Sequence, residues 1–550
     1  PTGWAFKQVN AAYGSTVLGS GNGVLVANAP VLIFSAGSMT GSVTKVYDGG
    51  TGISLAGATL PAVTGGAIDG DVVAGAIVSG GSGSLDDRNV GSNKVVTASG
   101  MSVTGVTTSA GLGSKPVYGY QVPTATGSIG TVTQRPTSVW SGGGAGNAWS
   151  SAANWDALPD GVNVANVIIP AGVGPIIFDG SVAETILQSL VSGSPISVSA
   201  GALQISSVLS TAGLAQTGGS ISGLGSLTVN GPFNQTGGTI DMASVDVTTP
   251  TGGIVFSNLK AGKVSLTASN GSIAQLGRVS TGTLTTSSSG GTLLNDSGNQ
   301  VTSFGASNSG TGNVELTNVG GLSIAAISNT GGNITVSNTG GVSTIGTVSA
   351  PNGTVSITAN SPLTIGLGGV SAGGDVDLNA SNLTSSGDMV LDGSVSSNSG
   401  AVRLSAANNL TQNGSVYGAL GVTAKAGGVF TAGPSATSGV TPVNYSAGGQ
   451  PVSAPPLNVG GLPTAPAGPT IPSTPTTPTN PTSPTLPINP VDPQAPSGTF
   501  DVVSDAVVQT NLVTTFLDKF EVALLTQTDR KRDPTKQKDE LVVEGEICRP

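Results

Sequence analysis

The chain has 550 residues, of which 86 are glycine and none is histidine, with 8% charged residues, 4% aromatic residues and a single cysteine. Without imidazole there is no Ser-His-Asp triad, no Cys-His pair and no histidine metal ligand, and one thiol builds no disulfide framework. A net charge of −10 argues against nucleic-acid binding, which needs clustered Lys and Arg.

Disorder does not follow from the glycine. Hydrophobic residues make up 37% of the chain, whereas disordered segments combine low hydrophobicity with high charge. No uninterrupted apolar run reaches the ~18 residues of a membrane span. The chain opens Pro1-Thr-Gly-Trp4 with no initiator methionine and no basic-then-apolar leader, so it reads as a mature or truncated product.

Residues 1–42 read as the end of a preceding β module. From 43 to 135, alternating segments are punctuated by Asp48-Gly49, Asp69-Gly70 and Asp86-Asp87, which predicts a small antiparallel β-sandwich. Asp48, Asp69, Asp71, Asp86 and Asp87 have the ligand type that Ca²⁺ takes, but turn formation is the simpler reading. No metal or other cofactor is expected.

Residues 136–180 hold Trp140, Trp149 and Trp155, three of the four tryptophans. They sit where a repeat begins and read as a cap on its first coil, with an exposed sugar-stacking platform as the alternative. The repeat occupies 181–440. Leu214-Ala-Gln-Thr-Gly-Gly-Ser-Ile221 returns as Phe233-Asn-Gln-Thr-Gly-Gly-Thr-Ile240. Apolar pairs then recur at Leu227/Val229, Val245/Val247, Val264/Leu266 and Leu284/Thr286, and again from Val314/Leu316 through Ile334/Val336, Val355/Ile357 and Val376/Leu378 to Val402/Leu404. A period near twenty with β-branched residues alternating with Ser and Thr predicts coils of a parallel β-helix. The two longer steps, before Val314 and before Val402, read as inserted loops. Val, Ile and Leu should point inward and Ser, Thr and Asn outward. About twelve coils from Val182 to Phe430 would make a rod on the order of 60 Å long. Identical positions stack ~4.8 Å apart, so charge repeated along one file would repel itself.

Residues 441–498 contain prolines at every third position from Pro463 to Pro496. Polyproline II has three residues per turn, so this stretch predicts a stiff spacer of roughly 105 Å. The tail, 499–550, collects 17 of the 46 charges. Within it Val503, Val507, Leu512, Phe516, Phe520 and Leu524 follow a helical period, which predicts an amphipathic anchor helix. Cys548 is left as a candidate for an intermolecular disulfide. The expected architecture is therefore all-β: a right-handed parallel β-helix preceded by a small antiparallel β-sandwich and followed by a Pro-rich linker and a short helical tail.

Thr44-Lys-Val-Tyr47-Asp48-Gly49, Asp69-Gly-Asp71, Asp87-Arg88-Asn89-Val90-Gly91, Lys94-Val-Val96 and Tyr118-Gly-Tyr120 resemble the YDG repeat of large bacterial surface and secreted adhesins of the filamentous haemagglutinin type. The Asn154-Trp155 segment and the Gly/Asn/Thr-rich coils are similar to the β-helical shafts of the same proteins, so the resemblance covers roughly residues 43–440. It implies an extracellular, outer-membrane-associated exoprotein without catalytic activity, an adhesin or biofilm-matrix component exported through a two-partner-secretion pore. Its receptor would be a glycan or protein of a host cell or matrix. The resemblance further implies Asn-x-Ser/Thr glycosylation, for which sequons stand at Asn234, Asn270, Asn295, Asn333, Asn352, Asn382, Asn409, Asn413 and Asn444; chance is the simpler account in a chain of this composition. A self-associating filament subunit is the structural alternative. A β-helical polysaccharide-active enzyme would need Asp375/Asp377 or Asp388/Asp392 to gather in a cleft.

Overall fold

A computed structural model describes residues 122–360, 362–382 and 387–457, preceded by 5–7, 24–26, 32–35, 38–65, 72–73, 81–101 and 106–107. The proline spacer from Pro463, the tail helix positions, Cys548, Asp69, Asp71 and Tyr118–Tyr120 lie outside the described residues. The described fold is all-β, with a single short 3-10 turn at Ala152–Asn154.

The front module is built on a five-stranded sheet in the order Val43–Val46, Ala125–Thr133, Gly91–Ser99, Ser82–Leu85, Gly52–Ile53. Its pairings are antiparallel except for Ala125–Thr133 against Val43–Val46, which is parallel. Two short ladders, Ile33–Phe34 with Val63–Gly65 and Thr40–Gly41 with Ala58–Thr59, tie residues before 43 to the same module. The strand Ala125–Thr133 then passes through Gln134 alone into Arg135–Val139, the first strand of the long sheet.

From residue 166 on the chain winds a parallel β-solenoid of about 14 turns. Each coil lays three short strands on three faces. One coil runs Leu214–Gln216 on face 1, Ser220–Ser222 on face 2 and Ser226–Asn230 on face 3. Each strand pairs in parallel with its counterpart one coil later, as Leu214 with Phe233, Ile221 with Ile240 and Leu227 with Val245. At ~4.8 Å per coil the solenoid is roughly 65 Å long. The ladder continues past residue 440: Val443–Ala447 stacks on Val422–Ala426.

The repeated Thr-Gly-Gly shows why the corners need glycine. Gly219 and Gly238, one coil apart, have φ of +66° and +73°, a conformation that favours glycine. A Cβ on the preceding Gly237 would lie 2.4 Å from the Thr217 carbonyl oxygen of the coil beneath. The corner is closed by backbone packed on backbone.

Two expectations change. The long step before Val314 is no insertion: Leu284 on face 3 pairs with Phe304, twenty residues on, while Val314 pairs with Thr292 on face 1. The strongest apolar pair moves from face 3 to face 1, because inward pairs on face 3 shrink to Val370/Ala372 and Val395/Ser397 as face 1 grows to Val355/Ile357 and Val376/Leu378. The step to Val402 does hold extra residues, between Ala380 and Met389. Nor do all polar side chains point outward. Asn299, Asn308, Asn318, Asn329 and Asn338 are buried. Asn308 Nδ2 donates to Asn329 Oδ1 at 2.8 Å and to the Gly312 carbonyl at 2.8 Å, and Asn318 Nδ2 donates to Asn338 Oδ1 at 3.0 Å. At a corner the turning backbone leaves donors and acceptors facing inward, and a carboxamide can satisfy both kinds.

Charges on the outer files obey the stacking rule. Asp241 is followed one coil later by Lys260, with Nζ 2.8 Å from Oδ2, and Asp377 by Arg403 at 3.2 Å. Ser265 stacks directly on Asp246, which supplies a test. Ser265→Asp should cost roughly 0.2–1 kcal/mol in equilibrium urea unfolding, less at high salt, whereas Ser265→Lys should cost nothing.

Candidate functional site

The tryptophans form the end of the solenoid core. Trp149 is fully buried, and Trp140 and Trp155 nearly so. Trp155 makes edge contacts with Trp140 at 4.9 Å and Trp149 at 4.8 Å, and Trp149 meets Phe178 at 5.4 Å. Each inner indole has a partner: Trp149 Nε1 donates to the Pro159 carbonyl at 2.9 Å and Trp155 Nε1 to the Trp149 carbonyl at 2.7 Å. The small residues between them fold over Asn154, whose side chain takes the Gly144 amide and donates to the Gly146 and Ala148 carbonyls. Burial rules out the sugar platform, because stacking needs an open ring face; these rings close the hydrophobic bore.

The motif residues divide into two tasks. Asp48 and Gly49 make a turn: Asp48 Oδ1 accepts the Gly50 amide at 2.9 Å and Lys45 Nζ at 2.6 Å, and Gly49 takes φ +84°. Asp87 Oδ1 likewise accepts the Asn89 amide and Lys94 Nζ. Among the described residues no group of three acidic or thiol side chains is placed to hold a metal, and Asp48 and Asp87 are engaged in turns.

Tyr47, Arg88, Asn89 and Val90 instead leave their own module and converge on two residues of the first coil, Asp160 and Asn163. The Tyr47 hydroxyl donates to Asp160 Oδ1 at 2.9 Å and shares the Leu158 carbonyl at 3.0 Å. Arg88 pairs with Asp160 Oδ2. Asn163 Nδ2 donates to Asn89 Oδ1 at 2.9 Å and to Asp160 Oδ1 at 2.8 Å, while Asn163 Oδ1 accepts the Val90 amide at 2.8 Å. Burial, and then Asp160 beside it, push the Tyr47 hydroxyl well above its ordinary value, so it stays a protonated donor. Gln134 adds a hydrogen bond to the Val162 carbonyl at 2.8 Å. Sequence reading found the motif but not its partners, since Pro159-Asp-Gly-Val-Asn163 carries only a turn signal.

The acids considered for catalysis are each engaged by the next coil. Asp375 Oδ2 and Asp377 Oδ1 meet Arg403 at 2.8 and 3.2 Å. Asp388 accepts the Asn408 side chain and the Asn409 amide, and Asp392 accepts the Asn413 side chain. These are rung contacts between coils. A shallow groove of about 420 Å³ on the solenoid is lined by Asp241, Lys260, Gly262, Ser280, Gly282 and Gln300. At the far end Tyr445 fills the bore against Phe430 at 4.9 Å and donates to Gln412 Oε1 at 2.9 Å. Beyond it Gln450–Pro451 folds back antiparallel on face 1 and Leu457 bridges Ser438 on face 3. Prolines at 451, 455 and 456 cannot donate, which blunts those edges.

Two outcomes follow. Trp149→Ala should cost about 3–5 kcal/mol in denaturant unfolding, from lost burial and the cavity left behind. Several carboxyls lie below their ordinary value: Asp87 through Lys94 and the Asn89 amide, Asp179 through the Ser181 amide, and Asp375 through the Ala401 amide and Arg403. Their folded pKa values are depressed, so the stabilisation is present above the unfolded value of ~3.9. It is lost as pH falls through the folded values. The thermal midpoint should hold from about pH 7 to 5 and drop below about pH 4.

No curated protein and no solved structure matches the chain. The family model described as the YDG domain matches residues 35–109, so a YDG domain is present there; the match includes Tyr47 and Arg88–Val90 and ends before Asp160.

Proposed function

We propose that this chain is part of a secreted, surface-exposed bacterial exoprotein of the filamentous haemagglutinin type, acting as a non-catalytic adhesive or matrix rod. The observation that carries the reading is a YDG domain at residues 35–109 in a module whose sheet leads through Gln134 into a long parallel solenoid. Such a rod is a spacer with side walls. Its outward files are chiefly Ser, Thr and Asn, and the adjacent charges Asp241/Lys260 and Asp377/Arg403 neutralise one another. That surface gives many weak polar contacts along its length and little electrostatic steering. Receptor contact, with a glycan or protein of a host cell or matrix, falls to these walls and to the groove beside Lys260 and Gln300. In this reading the export partner is an outer-membrane pore of the two-partner-secretion type, the proline stretch spans it, and the tail from 499 holds the rod at the cell. The backbone laid over faces 1 and 3 of the last coil favours single rods over end-to-end filaments.

Deleting residues 499–550 in the producing bacterium tests the anchor. Cell-bound protein, measured by surface immunolabelling, should fall and the medium should gain it. Unchanged surface retention would remove the anchor from the proposal.

A further inference from the structure

The YDG motif faces the rod. Tyr47 offers a hydroxyl donor, Arg88 a guanidinium and Val90 a backbone N–H, while Asn89 offers a carboxamide oxygen. Three donors and one acceptor, with the cation to one side, complement a carboxylate beside a carboxamide. The first coil supplies that pair. The Asn163 amide donates to the Asp160 carbonyl at 3.1 Å, and this turn puts both side chains on one side. The turn is itself a rung of face 2: the Gly161 amide donates to the Glu184 carbonyl at 2.9 Å and its carbonyl accepts the Ile186 amide at 2.8 Å. The partner side chains are thus held on the solenoid by its own backbone ladder. Asp160 is 14% exposed, so removing Arg88 leaves a poorly hydrated carboxylate.

We infer that Tyr47 and Arg88–Val90 form a docking socket that fixes the module to the Asp160–Asn163 turn of the first coil. The signature therefore couples the YDG module to the solenoid, and its polar groups are taken up in that contact. This coupling is independent of the adhesin reading.

Distance measurement between two nitroxide labels tests it in the full chain. With Cys548→Ser, labels are placed at Thr44→Cys on the module sheet and Lys263→Cys on the solenoid. The parent should give one narrow distance peak. Asp160→Ala, Asp160→Asn and Arg88→Ala should each lose it in favour of a broad distribution, and the Arg88→Ala/Asp160→Ala double variant should be no broader than either single one. Tyr47→Phe, which removes one hydroxyl and keeps the packing, should broaden it less. Circular dichroism confirms that the sheets of each variant are intact. If Tyr47→Phe and every folded Asp160 or Arg88 variant keep the narrow parental peak, the socket does no coupling and the inference is overturned.

Discussion

Each coil of this protein rests on the one before it through a parallel backbone ladder, and that stacking constrains everything else. A residue chosen at one position acquires the same position above and below it, ~4.8 Å away. Glycine follows from the corners, where a side chain such as a Cβ on Gly237 would strike the carbonyl of the coil beneath. The scarcity of charge follows from the files, where a carboxylate stacked directly on Asp246 would lie ~4.8 Å from it. Where charge does occur on neighbouring rungs it alternates, as Asp241 with Lys260 and Asp377 with Arg403.

A ladder of this kind has two ends, and the chain closes them with different chemistry. The first coils use bulk: three buried indoles and Phe178 fill the bore. The last uses a returning chain rich in proline, with Tyr445 as the stopper beneath it. The front module is fastened to the first coil twice, by the covalent run of Ala125–Thr133 into Arg135–Val139 and by the side chains gathered on Asp160 and Asn163. Without the side-chain contact the joint would be held by the single covalent run through Gln134.

The sequence made the repeat legible because Leu214–Ile221 and Phe233–Ile240 are near copies on successive coils. It does not reveal which face each apolar pair occupies, because Val-x-Leu on face 3 and Val-x-Leu on face 1 look alike; the step from Leu284 to Val314 therefore resembles an insertion although it is a change of face. Polarity alone points asparagines such as Asn308 and Asn318 outward, whereas they turn inward and hydrogen-bond backbone carbonyls at the corners. The motif around Tyr47 and Arg88 was visible as a pattern. Its meaning was not, because the residues that answer it stand more than seventy positions away in a turn with no signature of its own.

A parallel ladder runs from Val164 to Ala447, and hydrogen exchange of backbone amides tests it most directly. Amides of strands such as Val314–Asn318, Ile334–Asn338 and Val355–Ala359 should exchange slowly, with protection recurring on each coil and the turns between them exchanging first. Fast exchange through several consecutive coils would contradict it.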